Sequence, residues 1–210
     1  MKIHFKKIIL FFLFFSLQLT FVQQSPLAPD IQNIKNRGKL IVAIHSKDQP
    51  PFFFINKNNE LDGLDINIAK GIAGELGVKL EFNRKAKSFN DLVDIVDRGE
   101  ADMAISKLSR TLKRSQIINY STPYIIFRQA LILNRLELAK KAPSNEDIAP
   151  FIKDFTGKIG VIANSSYVNY AKKNFPRATV VELPTWNDIV DAVFTGELLA
   201  GYRDELEIKK

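Results

Sequence analysis

From residue 37 onward the chain switches repeatedly between a β-like and a helical spacing of apolar positions. Gly38-Lys39 opens Leu40–His45, a compact β-rich run. Gln49-Pro50-Pro51-Phe52 is a loop, because consecutive prolines cannot serve a hydrogen-bonded ladder. Phe52–Ile55 and Leu61 flank the turn residues Asn56–Asn59 as a hairpin. Asp62-Gly63 introduces a helix from Leu64 to Leu76, with Leu64, Ile68, Ile72 and Leu76 on its apolar face. Gly77 ends it where left-handed backbone is wanted. Val78–Phe82 is the next strand. Ser88-Phe89-Asn90-Asp91 reads as a capping box with Asp in place of Glu, opening a helix to about Val96. Asp102–Ser106, behind the Gly99-Glu100 turn, is a buried strand. Strand, helix, strand, helix, strand predicts a parallel α/β sheet.

Ile125–Leu133 is a long extended run, and Leu136–Phe155, with Pro143, Ser144 and Pro150, is a polar connection with a short helix. The pattern then repeats. Phe89-Asn90-Asp91-Leu92-Val93-Asp94 is echoed 97 positions later by Trp186-Asn187-Asp188-Ile189-Val190-Asp191. Val96 and Val193, Gly99 and Gly196, Glu100 and Glu197 stay in register without a gap. Gly38-Lys39-Leu40 and Gly157-Lys158-Ile159 begin the first strand of each copy. Two similar α/β lobes follow, over 37–133 and 134–210. In open α/β sheets ligands sit outside the carboxyl ends of the strands, so two facing lobes share one cleft that a hinge can close.

Asp102 to Tyr124 breaks a local rule. Thr111 reads as the N-cap of a short helix whose first turn carries Lys113 and Arg114, with Arg110 and Lys107 nearby. Cations are unfavourable at a helix N-terminus, which already carries partial positive charge. An anion site and a solvated basic surface both fit these residues taken alone. The repeat adds a partner: the loop that starts at Lys107 in the first copy starts at Asp204 in the second. A ligand between the lobes then meets guanidinium on one side and carboxylate on the other, which suits a zwitterionic α-amino acid. Asn164-Ser165-Ser166, after the strand Ile159–Ala163 and before the helix Tyr167–Asn174, offers hydroxyls and free N–H groups to the same carboxylate. Asp204 also fits a surface acid in the run Asp204-Glu205-Leu206-Glu207.

Composition narrows the classes. The 210 residues are 46% hydrophobic and 25% charged, ordinary for a globular chain. Cysteine is absent, which removes disulfides, thiolate metal sites, thiol nucleophiles and lipid attachment at cysteine. Residues 1–25 read as an export signal: Met1–Lys7 is basic, and Ile8–Val22 is apolar and Phe-rich but short of the roughly 20 residues of a span. A cleaved signal is expected, with an uncleaved anchor as the alternative, since no A-x-A-like site follows. Of the net +7, Lys2, Lys6 and Lys7 belong to this leader, which leaves 27 basic against 23 acidic residues, or +4. That is too mild for nucleic-acid binding, and no aromatic-basic interleaving supports it. No metal-ligand spacing and no Ser-His-Asp arrangement is present: His4 is in the leader and His45 reads as a strand-end residue.

Three segments together resemble the solute-binding proteins of polar amino acid ABC transporters, bacterial family 3, over about Gly38 to Glu205. Gly63-Leu64-Asp65-Ile66-Asn67-Ile68-Ala69 is similar to the family's G-F-D-x-D-L-A, Ser106 to Arg114 to its S-x-L-S-I-T-x-x-R, and Tyr120-Ser121-Thr122-Pro123-Tyr124 to its F-S-D-P-Y. The resemblance implies the type II periplasmic-binding fold. It also implies that Arg114 holds the ligand α-carboxylate and Asp204 its α-ammonium. Ser109, Ser165 and Ser166 match positions that bind through hydroxyl or backbone groups, and Phe89 an aromatic that packs on the ligand.

The departures from the pattern fall at the site. Gln49 stands where a stacking aromatic is common, and Asn164 replaces a common Gly. Lys107 and Arg110 add charge that favours an acidic or strongly polar ligand. The implied role is capture of an amino acid for a membrane permease by a periplasmic monomer, without catalytic residues, metal or cofactor. Relatives of this kind also run on past the matching Asp, so the expectation is either a fragment or a second lobe shortened by the lack of its return to the first. Alternatives are a dehydratase of prephenate-like acids on the same fold, or a membrane-anchored sensory lobe pair.

Overall fold

Lys39–His45 (β1) is the strand around which the first lobe forms, and Leu40, Val42, Ala43 and Ile44 along it are fully buried. Such a near-continuous apolar run belongs to the centre of a parallel sheet covered on both faces. The computed structural model describes residues 26–209; the leader expected over residues 1–25 lies outside the described residues. Helix α1 (Pro29–Arg37) precedes β1 and ends at Gly38, in left-handed backbone at φ 71°. On either side of β1 lie β4 (Lys79–Ala86) and β5 (Met103–Ala104), both parallel to it. The expected hairpin forms as β2 (Phe54–Ile55) against β3 (Leu61–Asp62), after a cis Pro50-Pro51 peptide.

Helix α2 spans Leu64–Leu76 and ends at Gly77, at φ 68°. Its buried face differs from the predicted one. Asp65, Ile66, Ala69 and Ala73 face inward, whereas Leu64 is 42% exposed. Gly63 explains the rotation, because a Cβ there would lie 2.3 Å from the carbonyl oxygen of Phe52. The helix therefore starts hard against the proline loop, and small residues suit so close an approach better than leucines.

The second lobe holds a four-stranded sheet in the order β6-β9-β7-β8, formed by Gln129–Leu133 (β6), Lys158–Ile162 (β7), Thr179–Leu183 (β8) and Ala200–Asp204 (β9). Strands β7, β8 and β9 are parallel, and β6 runs antiparallel to β9 with Gln129 opposite Asp204. This corrects the expected boundary between 133 and 134. Every residue of β9 is buried, so its outer edge needs a hydrogen-bonding partner, and β6 supplies it. The chain has therefore crossed to the second lobe before Gln129. The stretch expected to hold one short helix holds two, α5 (Arg135–Lys141) and α6 (Asn145–Lys153), after the four-residue α4 (Leu112–Ser115).

The repeat is visible in the topology. Order β4-β1-β5 in one lobe matches β8-β7-β9 in the other. Helices α3 (Phe89–Asp97) and α8 (Trp186–Phe194) both start with full capping boxes, Ser88 with Asp91 and Thr185 with Asp188. Both are followed by a glycine at positive φ, Gly99 at 68° and Gly196 at 80°. The cores are separate: Ala43, Ala86, Leu92 and Ile95 pack in the first lobe, and Phe155, Ile159, Val161 and Tyr202 in the second.

Candidate functional site

Strands β5 and β9 end at the same cleft, one from each lobe, and deliver opposite charges to it. The loop after β5 turns sharply at Lys107 (φ 51°) and runs to Thr111, which caps α4 by accepting the Arg114 N–H at 3.3 Å. Arg114 is only 4% exposed. Its Nε and one terminal nitrogen donate to Asn90 Oδ1, at 3.1 and 3.0 Å, and the other donates to the Ser109 carbonyl at 3.1 Å. Burial lowers its pKa, with Tyr120 and Tyr170 offsetting part of the effect, yet a guanidinium stays charged at neutral pH. Among the described residues no carboxylate pairs with it. Arg110 and Lys113 face solvent. The basic cluster thus divides, with Arg114 and Lys107 turned inward and the rest solvated.

Asp204 ends β9, 5% exposed, and caps the short α9 (Glu205–Ile208) by accepting the Glu207 N–H at 3.2 Å. The surface-acid reading of this residue is overturned, because β6 and β7 bury the strand that carries it. Lys107 Nζ lies 3.6 Å from Asp204 Oδ2 and 3.1 Å from Glu207 Oε1. Arg203 approaches the same two carboxylates at 3.7 Å each. The Lys107 ammonium also sits over the rings of Phe52 and Phe127, at 4.7 and 5.3 Å from their centroids.

The cleft contains about 460 Å³ of open space, mouth included, and Phe89, Lys107, Ser109, Arg114, Ser165, Ser166 and Asp204 all line it. Ser165 caps α7 (Ser166–Asn174): its hydroxyl donates to the Ile162 carbonyl at 2.6 Å and accepts the Tyr167 N–H at 3.3 Å. Gln49 is not brought to the cleft. Its backbone pairs with Phe53 beside the proline turn, and its Oε1 is buried without a hydrogen-bond partner.

Sequence reasoning missed four lining residues, Phe127, Ile162, Tyr167 and Arg203. Arg203 and Tyr167 adjoin predicted positions and could have been found there. Phe127 lies in an extended run with nothing to set it apart. Behind the wall, Asp65 is fully buried, and its Oδ2 accepts the Lys107 N–H at 3.2 Å. The Tyr124 hydroxyl accepts the same N–H at 3.0 Å. Burial raises the Asp65 pKa to about 6, against the lowering effects of Tyr124 and Lys107. Among the described residues no group of His, Cys, Asp or Glu could hold a metal ion, and no helix is long and apolar enough to cross a membrane.

Two α/β lobes around a cleft with one guanidinium pole and one carboxylate pole define a binding protein of the type II periplasmic class. The chain belongs to the bacterial extracellular solute-binding proteins, family 3, whose model matches residues 40–192. It is 28% identical over 160 residues to the L-cystine-binding protein TcyJ of Escherichia coli, covering 75% of this chain and 54% of that one. It is 31% identical over 111 residues to the membrane-bound lytic murein transglycosylase F of Desulfosudis oleivorans, covering 53% of this chain and 23% of that one. The chain thus spans about half the length, or less, of these curated relatives. Among solved structures, an amino acid ABC transporter substrate-binding protein of Streptococcus pneumoniae bound to L-arginine is 33% identical with TM-score 0.63, over 83% of this chain and 70% of that one. An ancestral amino acid-binding protein, a precursor of cyclohexadienyl dehydratase, is 28% identical with TM-score 0.67, over 85% and 76%.

Proposed function

We propose that this chain is an extracytoplasmic solute-binding protein that captures a polar amino acid between its lobes and delivers it to the permease of an ABC transporter. One observation carries the reading: Arg114 and Asp204, both buried, line a single cleft from opposite lobes. Arg114 takes the α-carboxylate, its planar fork being suited to two parallel hydrogen bonds. Asp204 takes the α-ammonium, Ser109, Ser165 and Ser166 add polar contacts, and Phe89 packs on the ligand. Relatives that carry cystine or arginine support the assignment. Calorimetric titration of the full chain with the twenty amino acids tests it. Binding of at least one, abolished in Arg114→Ala, is expected; no binding, or binding indifferent to Arg114, overturns it.

The 31% identity to a lytic transglycosylase supports a second reading, in which the lobe pair senses a ligand for a membrane-held enzyme. Fractionation of cells that express the native gene separates the two. A soluble periplasmic pool favours transport, and strict membrane association favours sensing. A dehydratase would need a proton donor on the cleft wall. Asp65, the acid with the raised pKa, does not line the cleft and is closed off behind the Lys107 loop.

A further inference from the structure

We infer that Lys107 makes the cleft selective for an acidic amino acid, one with two carboxylates and a single ammonium, and turns cationic ligands away. The inference rests on the amino-acid-binding reading and narrows it. Before any ligand enters, the carboxylate meant for an α-ammonium already faces two cations, Lys107 at 3.6 Å and Arg203 at 3.7 Å. Glu207 faces the same pair, at 3.1 and 3.7 Å. All four side chains are at most 10% exposed, so water screens them little. These two cations and two carboxylates balance. Arg114 remains, buried and hydrogen-bonded only to neutral oxygens. Among these five charged groups one positive charge is in excess; Asp65 lies behind the Lys107 loop and does not line the cleft.

Each ligand class changes that balance differently. An uncharged zwitterion satisfies Arg114, but its ammonium must share Asp204 with Lys107 and Arg203, leaving four positive charges against three negative. Arginine or lysine adds a fifth positive charge. A ligand with a second carboxylate facing Lys107 and Arg203 restores four against four. A buried charge left uncompensated is strongly unfavourable, so this count orders affinities.

Lys107 is not a wandering surface lysine that could swing aside to admit another cation. Its backbone N–H is held by Asp65 at 3.2 Å and by Tyr124 at 3.0 Å, and its ammonium by two phenyl rings and two carboxylates.

Calorimetry of the full chain with L-glutamate, L-aspartate, L-glutamine and L-arginine tests the proposal. One acidic amino acid is expected to bind at least tenfold more tightly than glutamine and arginine. Lys107→Met, similar in length and apolar between Phe52 and Phe127, is expected to shrink that preference at least tenfold and to gain affinity for arginine. Lys107→Gln serves if the methionine variant melts early, and the order measured on the unaltered chain needs no variant. Arginine or glutamine binding as tightly as either acid overturns the inference alone, as does a preference unchanged in both variants. Absence of binding by all amino acids overturns it together with the amino-acid-binding reading.

Discussion

Lys107 and Asp204 hold the same place in two copies of one repeat, 97 positions apart, and their charged groups meet across the cleft at 3.6 Å. The two strand ends part ways at these residues. Lys107 turns the chain through left-handed backbone, whereas Asp204, at φ −68°, caps a helix. A duplicated unit with opposite charges at its equivalent strand ends places both poles in the shared crevice without any further device.

Asn90 sets the charge felt at Arg114. Its Oδ1 accepts two guanidinium bonds while contributing no charge. Asn90→Asp keeps the acceptor and adds a counter-ion, so under the proposed role of Arg114 a ligand carboxylate gains less there. A charge-assisted hydrogen bond contributes about 1.5–3 kcal/mol, which corresponds to a roughly 10- to 150-fold weaker Kd in the variant. Calorimetry checks this, with a melting temperature no lower than that of the parent chain as the control for folding.

The two capping boxes should behave as equals. Ser88 and Thr185 each accept one backbone N–H of their helix at 3.2 Å, and each is bonded back by the Asp three positions on. Ser88→Ala and Thr185→Ala should each cost about 1 kcal/mol in denaturant unfolding. The two caps share no partner, so the double variant should lose about the sum. A much larger loss from one cap than from the other would contradict the equivalence.

Much of the fold was legible because its signals are local. Gly38, Gly77 and Gly99 announce positive φ, and Ser88 with Asp91 announces a helix start. The cleft charges were legible only through the repeat, which lifted Asp204 out of an ordinary acidic run. What sequence could not show depends on long-range pairing. Gln129–Leu133 reads as a strand in either lobe, and only the buried edge of β9 decides which sheet it joins. The buried face of α2 is set by the approach of Gly63 to Phe52, eleven positions earlier, and no periodicity of the helix itself contains it. Gln49 looked like a site residue by its place in a motif, but a backbone pairing to Phe53 fixes it elsewhere.

Asp65 predicts a pH dependence of unusual sign. Burial lifts its pKa from 3.8 to about 6, so the folded chain holds this proton more tightly than the unfolded chain. Stability from this group is greatest below about 4, falls as pH rises through the window from about 4 to about 6, and stays reduced above it. A shift of this size corresponds to roughly 3 kcal/mol. Asp65→Asn retains an acceptor for the Lys107 N–H and cannot ionise. The drop in melting temperature between pH 4 and pH 7 should therefore be smaller in the variant than in the parent chain, and equal drops would remove Asp65 as its source.

Asp204 serves two structural ends, and graded substitution separates them. Its Oδ1 accepts the Glu207 N–H, while Oδ2 faces Lys107 and Arg203. Asp204→Asn keeps the cap and the shape but removes the charge, leaving Glu207 alone to balance two buried cations. Breaking a buried ion pair from one side costs about 3–5 kcal/mol, because the partner charge stays behind. Asp204→Ala loses that and the cap as well, a further ~1 kcal/mol. Unfolding should therefore order parent, then Asn, then Ala, with the larger step first. Adding Lys107→Met to Asp204→Asn removes the orphaned ammonium, so the double variant should be more stable than Asp204→Asn alone. If the double variant is instead the weaker, an orphaned Lys107 ammonium is not what destabilises Asp204→Asn, and the 3.6 Å contact is not the source of that loss.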